Sequence, residues 1–239
     1  MKLSKFLFSI LSSIRKKLTP IEFRQMKHFV RKGWIFRWFH VRKALKKSGE
    51  IKLQVGGGKH VLTDWINGDL IHGDIYLDAT KRLPFPDGSV DYVFAEQFIE
   101  HIGHLDGKKF LKEVYRVLKS DGAIRLSTPD LDRLATMYLR QNEKVKIESA
   151  IARHKRNHNP EVATSAEFIN DIFRLWGHQF IYDEETLSRD IEMSGFKKFS
   201  RYSFGESEIA DFQGLERHAD EEWMKDGFQL IIEAEKVGV

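Results

Sequence analysis

The sequence predicts an α/β fold in which a largely parallel sheet carries helices on both faces. From about residue 50 short apolar strands alternate with amphipathic helices, the pattern of strands joined by crossover helices. The first of these strands runs directly into Gly56-Gly57-Gly58, so an unobstructed backbone is expected at the carboxyl end of a strand, where open α/β sheets place their ligands. The alternation stops over residues 130–176, where only helical patterns occur, and then resumes. One domain with an insertion accounts for this order.

Ile51, Leu53 and Val55 mark the first strand, and weaker strands are expected at Trp65–Asp69 and Asp74–Asp78. Pro84, Pro86, Asp87 and Gly88 break the chain before a stronger strand at Val90–Ala95. A helix from about Asp106 to Lys119 carries Phe110, Leu111, Val114, Tyr115 and Leu118 on one face, and Ser120-Asp121-Gly122 stops it. Ala123–Ser127 reads as the fifth strand. The interruption contains at least two amphipathic helices, the later one opened by a capping box at Thr164 and Glu167 and closed by Gly177. It is expected to form a lid. A helix at Glu184–Ser194, a strand around Phe196–Phe204 and a last strand at Phe228–Ala234 complete the domain.

The first 50 residues differ in kind. They hold 14 Lys/Arg against 2 Asp/Glu, leaving 25 against 33 in the rest, so the formal charge of +4 hides a basic arm on an acidic body. Leu3, Leu7, Ile10, Ile14 and Leu18 recur at helical spacing beside Lys2, Lys5 and Arg15–Lys17, which predicts an amphipathic basic helix. Pro20 is expected to end or kink it. A second segment interleaves Trp34, Phe36, Trp38 and Phe39 with Arg31, Lys32, Arg37, Arg42 and Lys43. No stretch reaches the roughly 20 apolar residues of a membrane span, and Phe6–Ile14 lacks the small-residue cleavage site of a signal peptide. The chain has no cysteine, which excludes disulfides, thiolate metal sites and cysteine nucleophiles and suits the cytoplasm.

The glycines do not make a dinucleotide fingerprint, because Val61 stands where the third glycine belongs and little room is left for a helix to receive a pyrophosphate. Asp69 and Asp78 fall near the ends of the next two strands, where carboxylates can accept hydrogen bonds from ribose hydroxyls and an adenine amino group.

Gly56-Gly57-Gly58, Trp65–Asp69, Asp78-Ala79, Leu83-Pro84-Phe85-Pro86-Asp87-Gly88-Ser89-Val90-Asp91, Glu100-His101 and Leu111–Leu118 leading to Gly122 together resemble the class I S-adenosylmethionine-dependent methyltransferases. The pattern looks most like a bacterial branch associated with polysaccharide or lipid modification. It is dense over residues 51–131, returns at Trp176–Leu187 and the last strand, and leaves out the arm. The resemblance implies a Rossmann-like class I methyltransferase sheet at 50–239 and S-adenosyl-L-methionine as cofactor, to which the residue patterns above add a helical lid at about 130–178 and a basic helical arm at 1–49. It makes Gly56, Gly57 and Gly58 the loop on the methionine side, Asp69 the ribose carboxylate, and Asp78 with Ala79 the adenine contact. Gln54 stands where the family pattern has an acidic residue or Asn, and only ten residues separate Gly58 from Asp69, too few for a crossover helix and a strand.

The reaction so implied needs an acceptor lone pair in line with the S–CH₃ bond, and a hydroxyl acceptor benefits from a general base. His178 and His101, both in the family pattern, are the candidate bases, with Glu96 and Glu100 able to orient them. His101, His104 and Asp106 have a loose metal-ligand spacing, but no metal is expected from it. The expected activity is O-methylation of a sugar, glycolipid or other small acceptor. The alternatives are N-methylation of nucleic acid or protein, and a non-catalytic binding module. Residues 1–48 suggest a peripheral site on an anionic membrane at its inner face, with nucleic acid the lesser partner.

Overall fold

The computed structural model describes residues 18–32, 34–46, 49–139, 144–217 and 228–238. The predicted first helix, with Leu3, Leu7, Ile10 and Ile14, lies outside these, as do the side chains of residues 31–36.

The sheet has seven strands: β1 (Lys52–Val55), β2 (Ile66–Asp69), β3 (Ile75–Tyr76), β4 (Val90–Glu96), β5 (Leu118–Pro129), β6 (Lys198–Arg201) and β7 (Gln229–Glu235). Their order is β3-β2-β1-β4-β5-β7-β6. The first five run parallel, with Leu53 opposite Ile66 on one side and Val93 on the other. β7 turns back antiparallel between β5 and β6. Because β1 feeds β2 on one side while β4 lies on the other, the chain reverses its winding at β1. A crevice opens there at the carboxyl ends. The short β1–β2 connection holds turns and no helix, in keeping with the ten residues available to it.

Helix α3 (His104–Val117) covers one face of the sheet through Phe110, Leu111, Val114 and Val117, all fully buried. Helix α7 (Glu184–Met193) joins the same core through Leu187 and Ile191, and its first turn is capped by Asp183, which accepts from Thr186 N–H at 2.7 Å. The other face packs Leu62, Trp65, Phe94, Ala123 and Phe212. The strongest family motif is structural: Arg116 of α3 donates to the carbonyls of Leu83 (3.0 Å) and Phe85 (2.9 Å), pinning the Leu83–Asp87 loop to the helix. Asp91 at its end accepts from Ile51 N–H at 2.8 Å and locks β4 beside β1.

Among the described residues the insertion holds three α-helices, where the sequence called for at least two: α4 (Leu131–Leu139), α5 (Lys144–Asn157) and α6 (Ser165–Arg174). The capping box at Thr164 and Glu167 forms as predicted. Leu134, Met137, Ala150, Val162, Phe168, Ile172 and Phe228 give these helices a core of their own. The insertion is rooted where β5 ends. Asp130 bridges to Tyr182, and Leu131 N–H donates to the Tyr182 carbonyl at 2.9 Å.

Pro20 follows Leu18 and Thr19, which are not helical, and the helix expected before them lies outside the described residues. Pro20 is the first residue of α1 (Pro20–Lys32), a position that needs no N–H, and Thr19 and Glu22 cap that end with bonds of 2.8 and 3.3 Å. Helix α2 (Trp34–Leu45) follows it. The pair packs against the β3 edge: Phe29 meets the Tyr76 ring edge-on at 5.0 Å, and Val41 is buried in the main core. Trp38 and Phe39 remain largely exposed. No described helix is long and apolar enough to cross a membrane.

Candidate functional site

A cleft of about 280 Å³ lies at the carboxyl ends of β1–β4, and Gly56, Asp69, Asp78, Ala79 and His101 all line it. Residues chosen from sequence positions 56 to 101 thus converge on one place. Phe98, Gln97 and Thr80 complete its wall and were not singled out from the sequence. Gln97 carries a left-handed backbone (φ 46) where β4 ends, a conformation that residue type does not announce.

The glycine loop works differently at each position. Gly56 has φ 71, and a Cβ there would fall 2.1 Å from the Phe98 ring, so the side chain excluded at this point is excluded by the protein itself. A Cβ on Gly57 would fall 2.3 Å from the Gln54 carboxamide, which is folded beneath the loop and buried. Gly57 and Gly58 stand behind the lining of the cleft. Gly58 donates its N–H to Asp69 Oδ2 at 3.2 Å, while Ile71 and His72 donate theirs to Asp69 Oδ1 at 2.7 and 3.0 Å. The carboxylate that faces the cleft is therefore oriented by three backbone donors. A carboxylate has about four acceptor positions, so capacity remains for a ligand hydroxyl. Asp78 is held by its own turn: Thr80 donates to Oδ1 through N–H (3.0 Å) and Oγ1 (2.7 Å).

His101 closes a 3₁₀ turn after β4 (Ile99–His101), and His178 follows a second such turn after α6 (Leu175–Gly177). The two rings meet edge-to-face with centroids 4.8 Å apart. The turns are tied by backbone: Gln179 and Phe180 N–H both donate to the Glu100 carbonyl, at 2.7 and 3.2 Å, and the Gln179 amide donates to the His101 carbonyl at 2.7 Å. Trp176, at φ 60, turns the chain toward His178, and their rings lie 5.6 Å apart. His178 Nδ1 is 2.5 Å from the Ile172 carbonyl. A carbonyl only accepts, so Nδ1 carries the proton and Nε2 keeps its lone pair. Burial pushes the His178 imidazole below its usual range, against the opposing pull of the Ile172 bond.

Glu100, not Glu96, joins the histidines. Its carboxylate is fully buried and accepts from the Thr128 hydroxyl at 3.0 Å, whereas Glu96 accepts the Arg217 N–H at 3.0 and 3.1 Å. The spacing His101, His104, Asp106 does not close on a common point. His104 turns to Asp190 of α7 at 2.6 Å and stacks on Phe180, and Asp106 pairs with Lys109 at 2.7 Å.

Residues 54–126, which build most of this cleft, match the family model described as methyltransferase domain. A Mycolicibacterium smegmatis protein named "Probable S-adenosylmethionine-dependent methyltransferase" is 38% identical over 71 residues, 30% of this chain and 25% of that one. The demethylmenaquinone methyltransferase of Listeria monocytogenes is 39% identical over 75 residues, 31% of this chain and 29% of that one. The matched stretch thus spans under a third of either relative. Among solved structures, a SAM-dependent methyltransferase from Archaeoglobus fulgidus aligns over 84% of this chain and 91% of its own at 16% identity and a TM-score of 0.47.

Proposed function

We propose that the protein transfers the methyl group of S-adenosyl-L-methionine to an oxygen of a sugar, glycolipid or similar small acceptor. The reading is carried by one observation: Gly56, Asp69, Asp78 and Ala79 line a single cleft whose rim holds His101, with His178 against it. The donor set fits the cofactor. Asp69 and Asp78 offer carboxylate oxygens to ribose hydroxyls and an adenine amino group, and Ala79 adds a small apolar wall. S-adenosyl-L-methionine supplies an electrophilic methyl group on a sulfonium. His178 presents Nε2 to the acceptor as its base, and His101 holds that ring edge-on.

Labelled S-adenosyl-L-methionine incubated with the protein and glycan or lipid extracts, followed by mass spectrometry, tests the transfer. Label in a glycan or lipid supports the reading, and label confined to protein or nucleic acid replaces it with N-methylation. Calorimetry tests the cofactor site separately. Wild type is expected to bind S-adenosyl-L-methionine or its demethylated product, and Asp78→Ala to weaken binding by about 1–3 kcal/mol. Because Asp78 also braces the Thr80 turn, Asp78→Asn serves as the companion variant. Absence of heat with either ligand from folded wild type rejects the cofactor reading.

The arm carries the second part of this proposal, reversible attachment to an anionic membrane near a lipid-linked acceptor. Ile21, Val30, Trp38 and Phe39 are each more than half exposed, on a segment rich in Lys and Arg. Full-length protein is expected to sediment with anionic vesicles at low salt and to be released at high salt. Removal of residues 1–48 should abolish sedimentation; because it also strips Val41 from the main core, the truncated form is first checked for folding by circular dichroism, and equal sedimentation of both folded forms rejects the membrane role.

A further inference from the structure

We infer that Glu100, His101 and His178 form a binding site for a divalent transition-metal ion of the zinc class, at the rim of the cleft. Each offers one ligand atom, and these atoms all lie within 4.8 Å of one another. Ligands about 2.0–2.2 Å from a tetrahedral ion sit roughly 3.4 Å apart. The difference, at most about 1.4 Å, is within reach of small side-chain rotations inside their rotamer wells. Two imidazoles and one carboxylate suit zinc and its first-row neighbours, and do not suit magnesium or calcium, which take oxygen ligands.

What surrounds the three ligands argues as strongly as the ligands. A metal-binding histidine as a rule donates its other ring N–H to a carbonyl or carboxylate, which fixes the ring and leaves one lone pair for the ion. His178 makes that bond, Nδ1 to the Ile172 carbonyl at 2.5 Å. The Glu100 carboxylate is braced in the same manner by the Thr128 hydroxyl at 3.0 Å. It is fully buried, and a divalent cation adjoining it supplies the positive charge that a buried carboxylate favours. The two turns are already joined through the Glu100 and His101 carbonyls, so the ligand positions are set before any ion arrives.

The loose spacing of His101, His104 and Asp106, from which no metal is expected, is not the site, because the fold turns His104 and Asp106 to other partners. The fold substitutes a histidine 77 positions further on, brought in by the lid. The ion so held would clamp the lid turn to the turn after β4. Three protein ligands leave a coordination position open, as in catalytic zinc sites, and one of the three, His101, lines the cleft. Binding of the ion occupies the His178 lone pair, so the base role proposed above belongs to the metal-free protein. That role rests on the methyl-transfer reading; binding of the ion does not.

The test is a titration of chelator-dialysed, full-length protein with Co²⁺, followed by displacement with Zn²⁺. One equivalent of Co²⁺ is expected to give the visible d–d bands of a tetrahedral or five-coordinate site, and Zn²⁺ to bleach them. His101→Ala and His178→Ala should each weaken binding by at least about 100-fold, more than the roughly 10–100-fold expected for the outer bond lost in Thr128→Ala. His60→Ala should change nothing. Should a ligand variant fail to fold by circular dichroism, wild type labelled with ¹⁵N-histidine decides alone, because Co²⁺ must then shift the His101 and His178 ring signals most. Absence of stoichiometric bands, bands unchanged in both histidine variants, or shifts centred on other histidines overturns the site. Metal binding without any calorimetric binding of S-adenosyl-L-methionine leaves the site standing and removes the methyl-transfer reading. The reverse outcome does the opposite.

Discussion

Replacing His178 by alanine is expected to lower the turnover of methyl transfer by roughly 10²–10⁴-fold, the range for loss of a positioned proton acceptor. Calorimetric affinity for S-adenosyl-L-methionine should stay close to wild type. The expectation follows from where the side chain stands. His178 is outside the lining of the cofactor cleft, yet its ring lies 4.8 Å from that of His101, which is part of the lining. Its Nδ1 is committed to the Ile172 carbonyl, so substitution also removes a contact at the end of α6. Thermal melting therefore accompanies the kinetics. A loss of melting temperature with normal turnover assigns His178 to the helix end alone, and a large loss in His101→Ala with almost none in His178→Ala exchanges their roles. His178→Gln helps to separate the cases, since its amide can still donate to the carbonyl while lacking a basic nitrogen.

Much of this site was legible because strand ends are legible. A glycine run after Leu53 and Val55 can only stand where β1 leaves the sheet, and acidic residues after the next two apolar runs stand at neighbouring strand ends. The helical insertion was legible as an interruption, and its capping box as a local pattern. What the sequence did not show depends on contacts far apart in the chain or on backbone outside the common regions. Glu100 and Glu96 are equivalent by position, and only the approach of residues 176–180 selects Glu100. Trp176 and Gln97 sit at positive φ without being glycine, which no residue pattern predicts. At Gly56 the missing side chain makes room for Phe98, a reason that only the packing reveals. At Pro20 the pattern left one role unread, since a residue that breaks a helix in its interior also starts one at the first turn, here α1.

The largest expected loss of stability lies away from the cleft, at Arg125 of β5. Arg125 and Glu216 have fully buried side chains, and Glu233 of β7 is nearly so. The guanidinium donates to Glu216 Oε1 at 2.6 Å, to the Glu206 carbonyl at 2.9 Å and to the Glu233 carboxylate. One cation thus holds two carboxylates and the loop that crosses this face of the sheet. Arg125→Met keeps the approximate length of the side chain and removes the charge, leaving two carboxylates buried without it. Breaking a buried pair from one side costs about 3–5 kcal/mol, which in a chain of this size corresponds to a fall of roughly 6–20 °C in melting temperature. The pH dependence has a definite sign. Burial pushes Glu233 above the usual carboxylate range, opposed by hydrogen bonds from Ser207 and Arg125. Without Arg125 that opposition weakens and the folded-state value rises further. A carboxyl with a raised folded-state value favours the fold below its unfolded value and loses that contribution as pH rises through the folded one. The deficit of Arg125→Met relative to wild type should therefore be smaller near pH 5 than near pH 8. Urea unfolding of both proteins at the two pH values measures it. A deficit that is equal at both, or larger at pH 5, shows that Arg125 acts through packing rather than through its charge. Leucine in place of both glutamates in the Arg125→Met background removes the uncompensated charges and should recover much of the loss.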